Sequence, residues 1–243
     1  MRRTFFQHIP MTPESLLPFI PQRHSVRKYA NRAIPAEVVQ ALQHEIGSCN
    51  TEGHLHIQLV TGEPKAFSGL LSYGKFSGVA NYFVMAGPRG EGLDERVGYY
   101  GERLVLLAQS LGLNTCWVGM TFRKVPSAFT LAEGEKLVCV IALGYGLTQG
   151  QPHRVRTLDQ VSAPAEGTPE WFRRGVEAAL LAPTAVNQQK FRFTFLPAAD
   201  PRSLPRVKAE RLFSMVGYTR IDLGIAKLHF ELAAGSERFV WDD

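Results

Sequence analysis

The sequence predicts an α+β fold, a mixed or antiparallel sheet covered by helices and built as two pseudo-symmetric halves. Three observations carry that expectation. Stretches with apolar residues returning every three and four positions, the helical period, are interleaved with only a few strand-like runs. Leu137-Val-Cys-Val-Ile-Ala-Leu143 is apolar enough to be a central strand. Two pairs of segments also repeat the same order of elements along the chain.

In chain order, Thr12-Pro-Glu-Ser reads as an N-cap with Pro at the first helical position, opening a helix over 12–20. A helix over 35–47 follows, then a small polar turn and a strand over 55–61 that puts His54 and His56 on one side. A strand over 79–86, a helix over 93–111 and the central strand over 136–144 come next. Ser162-Ala-Pro-Ala-Glu-Gly-Thr-Pro169 is the best linker candidate. Beyond it, Thr168-Pro-Glu-Trp repeats the early Pro and starts a helix over 168–182, followed by a strand over 191–196 and helices over 202–214 and 220–234. In the first repeated pair, 35–60 and 169–196 share a Pro start, an apolar-periodic helix, a polar turn and a strand. In the second, Glu102 to Gly112 and Asp222 to Gly235 are helices closing on a glycine able to take the left-handed conformation. The halves this implies are 1–165 and 166–243.

Two segments carry chemistry. Arg23-His-Ser-Val-Arg27 is a compact anion-binding sequence, since guanidinium groups make charge-assisted, bidentate bonds to phosphate or carboxylate. Its plainer reading is a solvated basic turn. Leu180 to Phe193 joins a helix end, a polar turn and an alternating strand, and offers Thr184, Asn187 and Gln189 as neutral hydrogen-bonding groups beside apolar surface. Together the two suit a phosphorylated cofactor with a polar chain and a flat ring, namely FMN.

Both segments resemble the FMN-dependent nitroreductase family. Arg23, Ser25 and Arg27 match its Arg-x-Ser-x-Arg/Lys phosphate motif. Pro183, Thr184, Ala185, Asn187, Gln189 and Phe193 match its Pro-Ser-Ser/Ala-x-Asn-x-Gln-Pro-Trp-x-Phe run, while Lys190 and Phe191 depart from the Pro-Trp pair. Ser110 to Met120 is similar to the family's helix-ending turn, where Trp117, Val118, Gly119 and Met120 would aim backbone N–H groups at the flavin ring. Here the Asn-x-Gln run lies far downstream of the phosphate motif, and the segment over 46–60 keeps the expected architecture without the chemistry. This organisation resembles a branch of the family in which two half-domains are fused in one chain. The resemblance implies an internal pseudo-dimer, monomeric or a homodimer, with one surviving flavin site.

The resemblance further implies that His24 belongs to the phosphate segment, that Arg154 and Arg156 are second phosphate ligands, and that Asn187 faces Arg23 and Ser25 across the halves. Lys75 would place a cation near flavin N1 and O2, or is a plain surface lysine; Trp117 is a flavin wall or core packing. The implied activity is hydride transfer from NAD(P)H through flavin N5 to a small acceptor, a nitroaromatic or quinone. The alternative is a protein that binds or delivers flavin without redox turnover. No Ser/His/Asp set or carboxylate pair suggests a catalytic side chain, and Gly144-Tyr-Gly146 is not a dinucleotide fingerprint.

Composition bounds the rest. With 243 residues, 45% hydrophobic and 20% charged, the chain can bury a sizeable core. A net charge of +5 spread along the sequence argues against nucleic-acid binding. Cys49, Cys116 and Cys139, odd in number and widely spaced, suggest reduced thiols in a cytoplasmic protein. His54 and His56 lack a third ligand at suitable spacing, so no metal is expected. No run of about 18 apolar residues is present, so no membrane span is expected either.

Overall fold

The computed structural model describes residues 13–69, 74–163, 167–198, 200 and 202–242. After a short 3₁₀ helix (Pro13–Phe19), the first part of the chain runs α1 (Ala36–Gly53), β1 (Gln58–Val60), β2 (Asn81–Pro88), α2 (Leu93–Ser110), β3 (Asn114–Val118) and β4 (Glu135–Gly144). A one-turn α3 (Leu158–Val161) and β5 (Ser162–Ala163) lead to α4 (Glu170–Ala179), β6 (Phe191–Leu196), β7 (Arg206–Arg211), α5 (Thr219–Ala234) and β8 (Val240–Trp241). The fold is α+β, as expected, with two four-stranded sheets. The first is antiparallel throughout, in the order β1-β2-β4-β3. The second, β5-β6-β7-β8, pairs β6 with β7 antiparallel and its two outer strands parallel.

The order helix, strand, strand, helix, strand occurs twice, as α1-β1-β2-α2-β3 and as α4-β6-β7-α5-β8. In the first sheet β4 stands between β2 and β3, whereas β8 pairs directly with β7.

The helices α2 and α5 cross where both carry glycine. Gly98 and Gly224 are each the sixth residue of their helix, and Glu95 and Ile221 each the third. A Cβ on Gly98 would lie 2.1 Å from the Ile221 carbonyl oxygen, and one on Gly224 would lie 2.0 Å from that of Glu95. The contact is therefore reciprocal, the pattern a twofold axis imposes on an isologous interface. Both helices also start from a left-handed residue, Gly92 at φ 74 and Tyr218 at φ 61. Around the crossing, Leu104, Val105, Ile225 and Ala226 are buried. Behind α5, Phe193 and Phe230 stack at 4.8 Å, and burying each such side chain contributes about 1.5–3 kcal/mol.

Several elements differ from the sequence-based expectation. The helix expected over 202–214 is strand β7. Apart from Val207, Arg206-Val-Lys-Ala-Glu-Arg211 is made of helix formers, but Val207 turns inward between outward Arg206 and Lys208, and the alternation pairs with β6. Period thus overrides propensity. The turn expected after position 47 is helical, because Leu42, Ile46, Cys49 and Gly53 continue the buried stripe of α1. His54 is the left-handed C-cap of that helix and not a strand residue, so it does not share a face with His56, which pairs with Glu135 at 2.7 Å. The linker candidate begins as β5, which hydrogen-bonds in parallel to β6. The expected N-cap Thr12 lies outside the described residues. Among the described residues no helix is long and apolar enough to cross a membrane, and no three potential metal ligands cluster.

Candidate functional site

The segment 23–29 is extended and lies along the edge of the first sheet. Val26 N–H donates to the Thr115 carbonyl at 2.9 Å, and Ser25 and Thr115 form a parallel bridge. Successive side chains in such backbone point to opposite sides. Val26 is buried in the core, which turns its neighbours Ser25 and Arg27 to the other side, into a cleft of about 460 Å³. Lys75 also lines this cleft. The end of β3 supplies Cys116 to Thr121 as one wall, the turn after α4 supplies Pro183 to Val186 as another, and the start of α5 adds Val216, Tyr218, Ile221, Asp222 and Ile225. Two parts of the chain far apart in sequence thus meet in one cavity, of a size suited to a small cofactor.

The structure brings together Ser25, Arg27, Lys75, Trp117, Val118, Gly119, Met120, Pro183, Thr184 and Ala185. It places the other named residues nearby but outside the lining. Arg23 is 3% exposed, with Nε 3.5 Å from Glu102 Oε1. That approach is electrostatic and lacks hydrogen-bond geometry, and Arg23 Nε and Nη1 have no hydrogen-bond partner. Burial and Arg23 both lower the His24 pKa. Asn187 donates through Nδ2 to the Arg154 carbonyl at 2.9 Å. Gln189 accepts from Arg156 N–H at 2.9 Å and donates to the Arg154 carbonyl at 2.8 Å. These two amides therefore pin the backbone of 154–156, rather than turning toward Arg23 and Ser25. Gly150 in turn packs against His24 and the Ser25 carbonyl, which brings this basic stretch beside the 23–27 segment.

Three features were missed at sequence level. Glu102, 0% exposed, accepts from Trp117 Nε1 at 2.8 Å and meets His229 Nε2 at 3.1 Å, while His229 Nδ1 faces the Ala178 carbonyl at 3.1 Å. A carbonyl only accepts, so in the contact with Ala178 the donor is His229 Nδ1. Trp117 thus lines the cleft with its indole held from behind by Glu102. The second feature is Asp222, 3% exposed in the cleft wall, whose pKa burial pushes up to about 6 against two hydrogen bonds, from Ala185 N–H and Gln188. An acid in the first turn of a helix is ordinary in a sequence, so nothing marked it. The third is backbone strain. Val186, Asn187 and Gln189 have φ of 46, 56 and 46. For a β-branched residue this costs on the order of 1–3 kcal/mol, and such outliers cluster at ligand sites.

The lining fits a flat aromatic ring with an anionic tail. Val118, Ile221 and Ile225 give apolar walls, Arg27 and Ser25 an anion-binding end, and Gly119 leaves room that a side chain would fill, since a Cβ there would lie 2.6 Å from the Tyr218 ring.

Comparison with known proteins agrees with this architecture. A putative nitroreductase from Thermotoga maritima is 22% identical, covers 96% of this chain and 88% of its own, and superposes with a TM-score of 0.59. A nitroreductase-like protein from Streptococcus mutans gives 15% identity, 62% and 97% coverage and a TM-score of 0.52. A "putative nitroreductase in complex with fmn" from Desulfovibrio desulfuricans gives 17%, 63% and 98%, and 0.50. No curated protein matches the chain. The family model described as "Putative TM nitroreductase" matches residues 15–234, nearly the whole chain, which therefore belongs to that nitroreductase family.

Proposed function

We propose that this cleft binds FMN and that the protein is an oxidoreductase passing reducing equivalents from NAD(P)H to a small electron acceptor, a nitroaromatic or quinone. The observation that carries the reading is the convergence of Ser25 and Arg27 with Pro183, Thr184 and Ala185 in one cavity. Family membership and the FMN complex of the Desulfovibrio protein support it. When bound, FMN supplies the hydride chemistry, and the chain's residues bind it, orient it and exclude water. Ser25 and Arg27 would hold the phosphate end, and Arg154 and Arg156, whose backbone Asn187 and Gln189 pin, would be second ligands to it. Val118 to Met120 on the β3 wall and Pro183 to Ala185 on the other would flank the ring, with Lys75 as a cation of the same lining.

The same reading treats 1–165 and 166–243 as two fused halves of a pseudo-dimer, the second completing the site of the first. The reciprocal Gly98 and Gly224 contacts support it. FMN should then saturate at one per chain, with FAD much weaker, and saturation at two per chain would exclude a single shared site. Arg27→Ala should weaken FMN by about 2 kcal/mol, roughly thirtyfold, as loss of charge-assisted bonds does. Riboflavin, without the phosphate, should bind the variant nearly as it binds the wild type. Bleaching of the bound flavin's visible absorption by NADH or NADPH distinguishes turnover from binding alone.

A further inference from the structure

Two donors converge on the Asp222 carboxylate, Ala185 N–H on Oδ1 at 3.0 Å and Gln188 Nε2 on Oδ2 at 2.6 Å. The same Gln188 nitrogen also donates to the Gly217 carbonyl at 2.9 Å, while Gln188 Oε1 is buried without a partner. Through Ala185 the carboxylate holds the Pro183–Val186 wall, which carries the strained Val186 at φ 46. Through Gln188 it holds Gly217, next to Tyr218, the left-handed N-cap residue whose ring rests on Gly119. One carboxylate thus reaches both walls of the cleft.

A carboxylate accepts from both donors at once, whereas a neutral carboxyl turns a hydroxyl hydrogen toward one of them. If that oxygen is Oδ2, Gln188 must rotate its amide to present the unpartnered Oε1, and the Gly217 carbonyl loses its bond. If it is Oδ1, the Ala185 N–H is released instead. We propose that Asp222 is a positioning residue whose carboxylate clamps Pro183–Val186 and, through Gln188, Gly217–Tyr218 into the cleft walls, and whose protonation releases them.

Among the groups lining the cleft, Asp222 is the one that changes in mild acid, whereas His24, whose pKa burial lowers, lies outside the lining and is common to the wild type and the Asp222 variant. Of the titratable groups lining the same cleft, Cys116 and Cys139 have thiols pushed up by burial, and burial also raises the Tyr218 hydroxyl above 10. Arg27 and Lys75 are cations across the cleft, and Glu95 on the packed face of α2 is engaged by Lys227 at 2.8 Å. Burial holds Asp222 near 6 in the folded chain against 3.8 for the free side chain. Because the folded value is the higher, ionised Asp222 lowers fold stability above pH 6, and that cost fades as the pH falls to 3.8. Clamp and fold therefore respond to acid in opposite directions, which separates positioning from a merely structural role.

The clamp is a property of the chain, and only its effect on flavin affinity rests on the proposed function. The test is hydrogen exchange over 183–189 and 217–218 in the ligand-free full chain at pH about 7.5 and about 5, corrected for intrinsic rates, with riboflavin titrated in parallel. Riboflavin replaces FMN because a phosphate monoester itself titrates near 6. In the wild type, protection at Ala185 or at 217–218, according to which oxygen takes the proton, and riboflavin affinity should each fall roughly tenfold in acid. Asp222→Asn, which keeps only one acceptor oxygen, should show the same lowered protection, at Ala185 or at 217–218, at both pH values, yet melt no lower than the wild type at the higher one. Wild-type exchange and an unchanged pH profile in Asp222→Asn would overturn the proposal. Should that variant not fold, Gln188→Met should expose 217–218 while leaving Ala185 protected, and unchanged exchange at 217–218 would equally overturn it. An exchange response with no riboflavin binding supports the clamp and counts against the flavin site.

Discussion

Gly98→Val is expected to abolish the folded protein. The Cβ it introduces would stand 2.1 Å from the Ile221 carbonyl oxygen, and the obstacle is backbone, so no change of rotamer relieves it. The helices α2 and α5 must separate, uncovering Val97, Val105, Ile225 and Ala226, all at 1% exposure or less. Overpacking a core that can adjust costs about 1–3 kcal/mol. Here neither backbone can yield, and the loss should approach the whole stability of a domain, about 5–15 kcal/mol. Gly224→Val should fail in the same way, because its Cβ meets the Glu95 carbonyl at 2.0 Å. Gly47→Ala is the control. It lies inside α1, and a Cβ added there would have nothing within 4 Å, so helix propensity alone should raise stability by roughly 0.5–1 kcal/mol. Expression in soluble form and thermal melting decide the matter. A Gly98→Val protein melting with the wild type would remove the reciprocal crossing as the joint between α2 and α5.

That joint shows what the sequence could and could not disclose. The strand over 191–196 and the helices expected over 93–111 and 220–234 were readable because each keeps a single period over its length, and the two helices run to the positive-φ glycines Gly112 and Gly235. The paired glycines Gly98 and Gly224 were visible as letters, but a glycine in a helix gains meaning only from the backbone opposite it. β7 was misread because Lys, Ala, Glu and Arg favour helix in isolation, and only pairing with β6 and β8 reveals the alternation. In the site, Ser25 and Arg27 were legible because an extended segment fixes their side, once Val26 is known to be apolar. Asn187 and Gln189 were legible as polar groups of a turn, but not the partners they choose, since the Arg154 carbonyl and Arg156 N–H lie more than thirty residues away. Asp222 and Glu102 were hidden for the same reason. Their importance is burial, and burial of an acid on a helix is decided by what packs over it.

Glu102→Ala should be the most damaging change to a single polar side chain. Glu102 is 0% exposed and is shared by Arg23, Trp117 and His229, which come from the 23–29 segment, β3 and α5. Its removal leaves the Arg23 guanidinium, with 2% side-chain exposure and two nitrogens already without hydrogen bonds, as an uncompensated buried charge. Breaking a buried pair from one side costs about 3–5 kcal/mol, whereas replacing both members by apolar groups of similar volume is often nearly neutral. Arg23→Met combined with Glu102→Leu should accordingly lose less stability than the sum of the two single changes, with a coupling of at least about 1 kcal/mol in denaturant unfolding. The same logic separates the two arginines of the motif. Arg23→Ala should lower the melting temperature more than it weakens FMN, and Arg27→Ala, on an exposed side chain lining the cleft, should do the reverse. Additive single changes, or an Arg23→Ala protein with wild-type melting and FMN binding as weak as that of Arg27→Ala, would show that Arg23 serves the ligand and not the Glu102 pair.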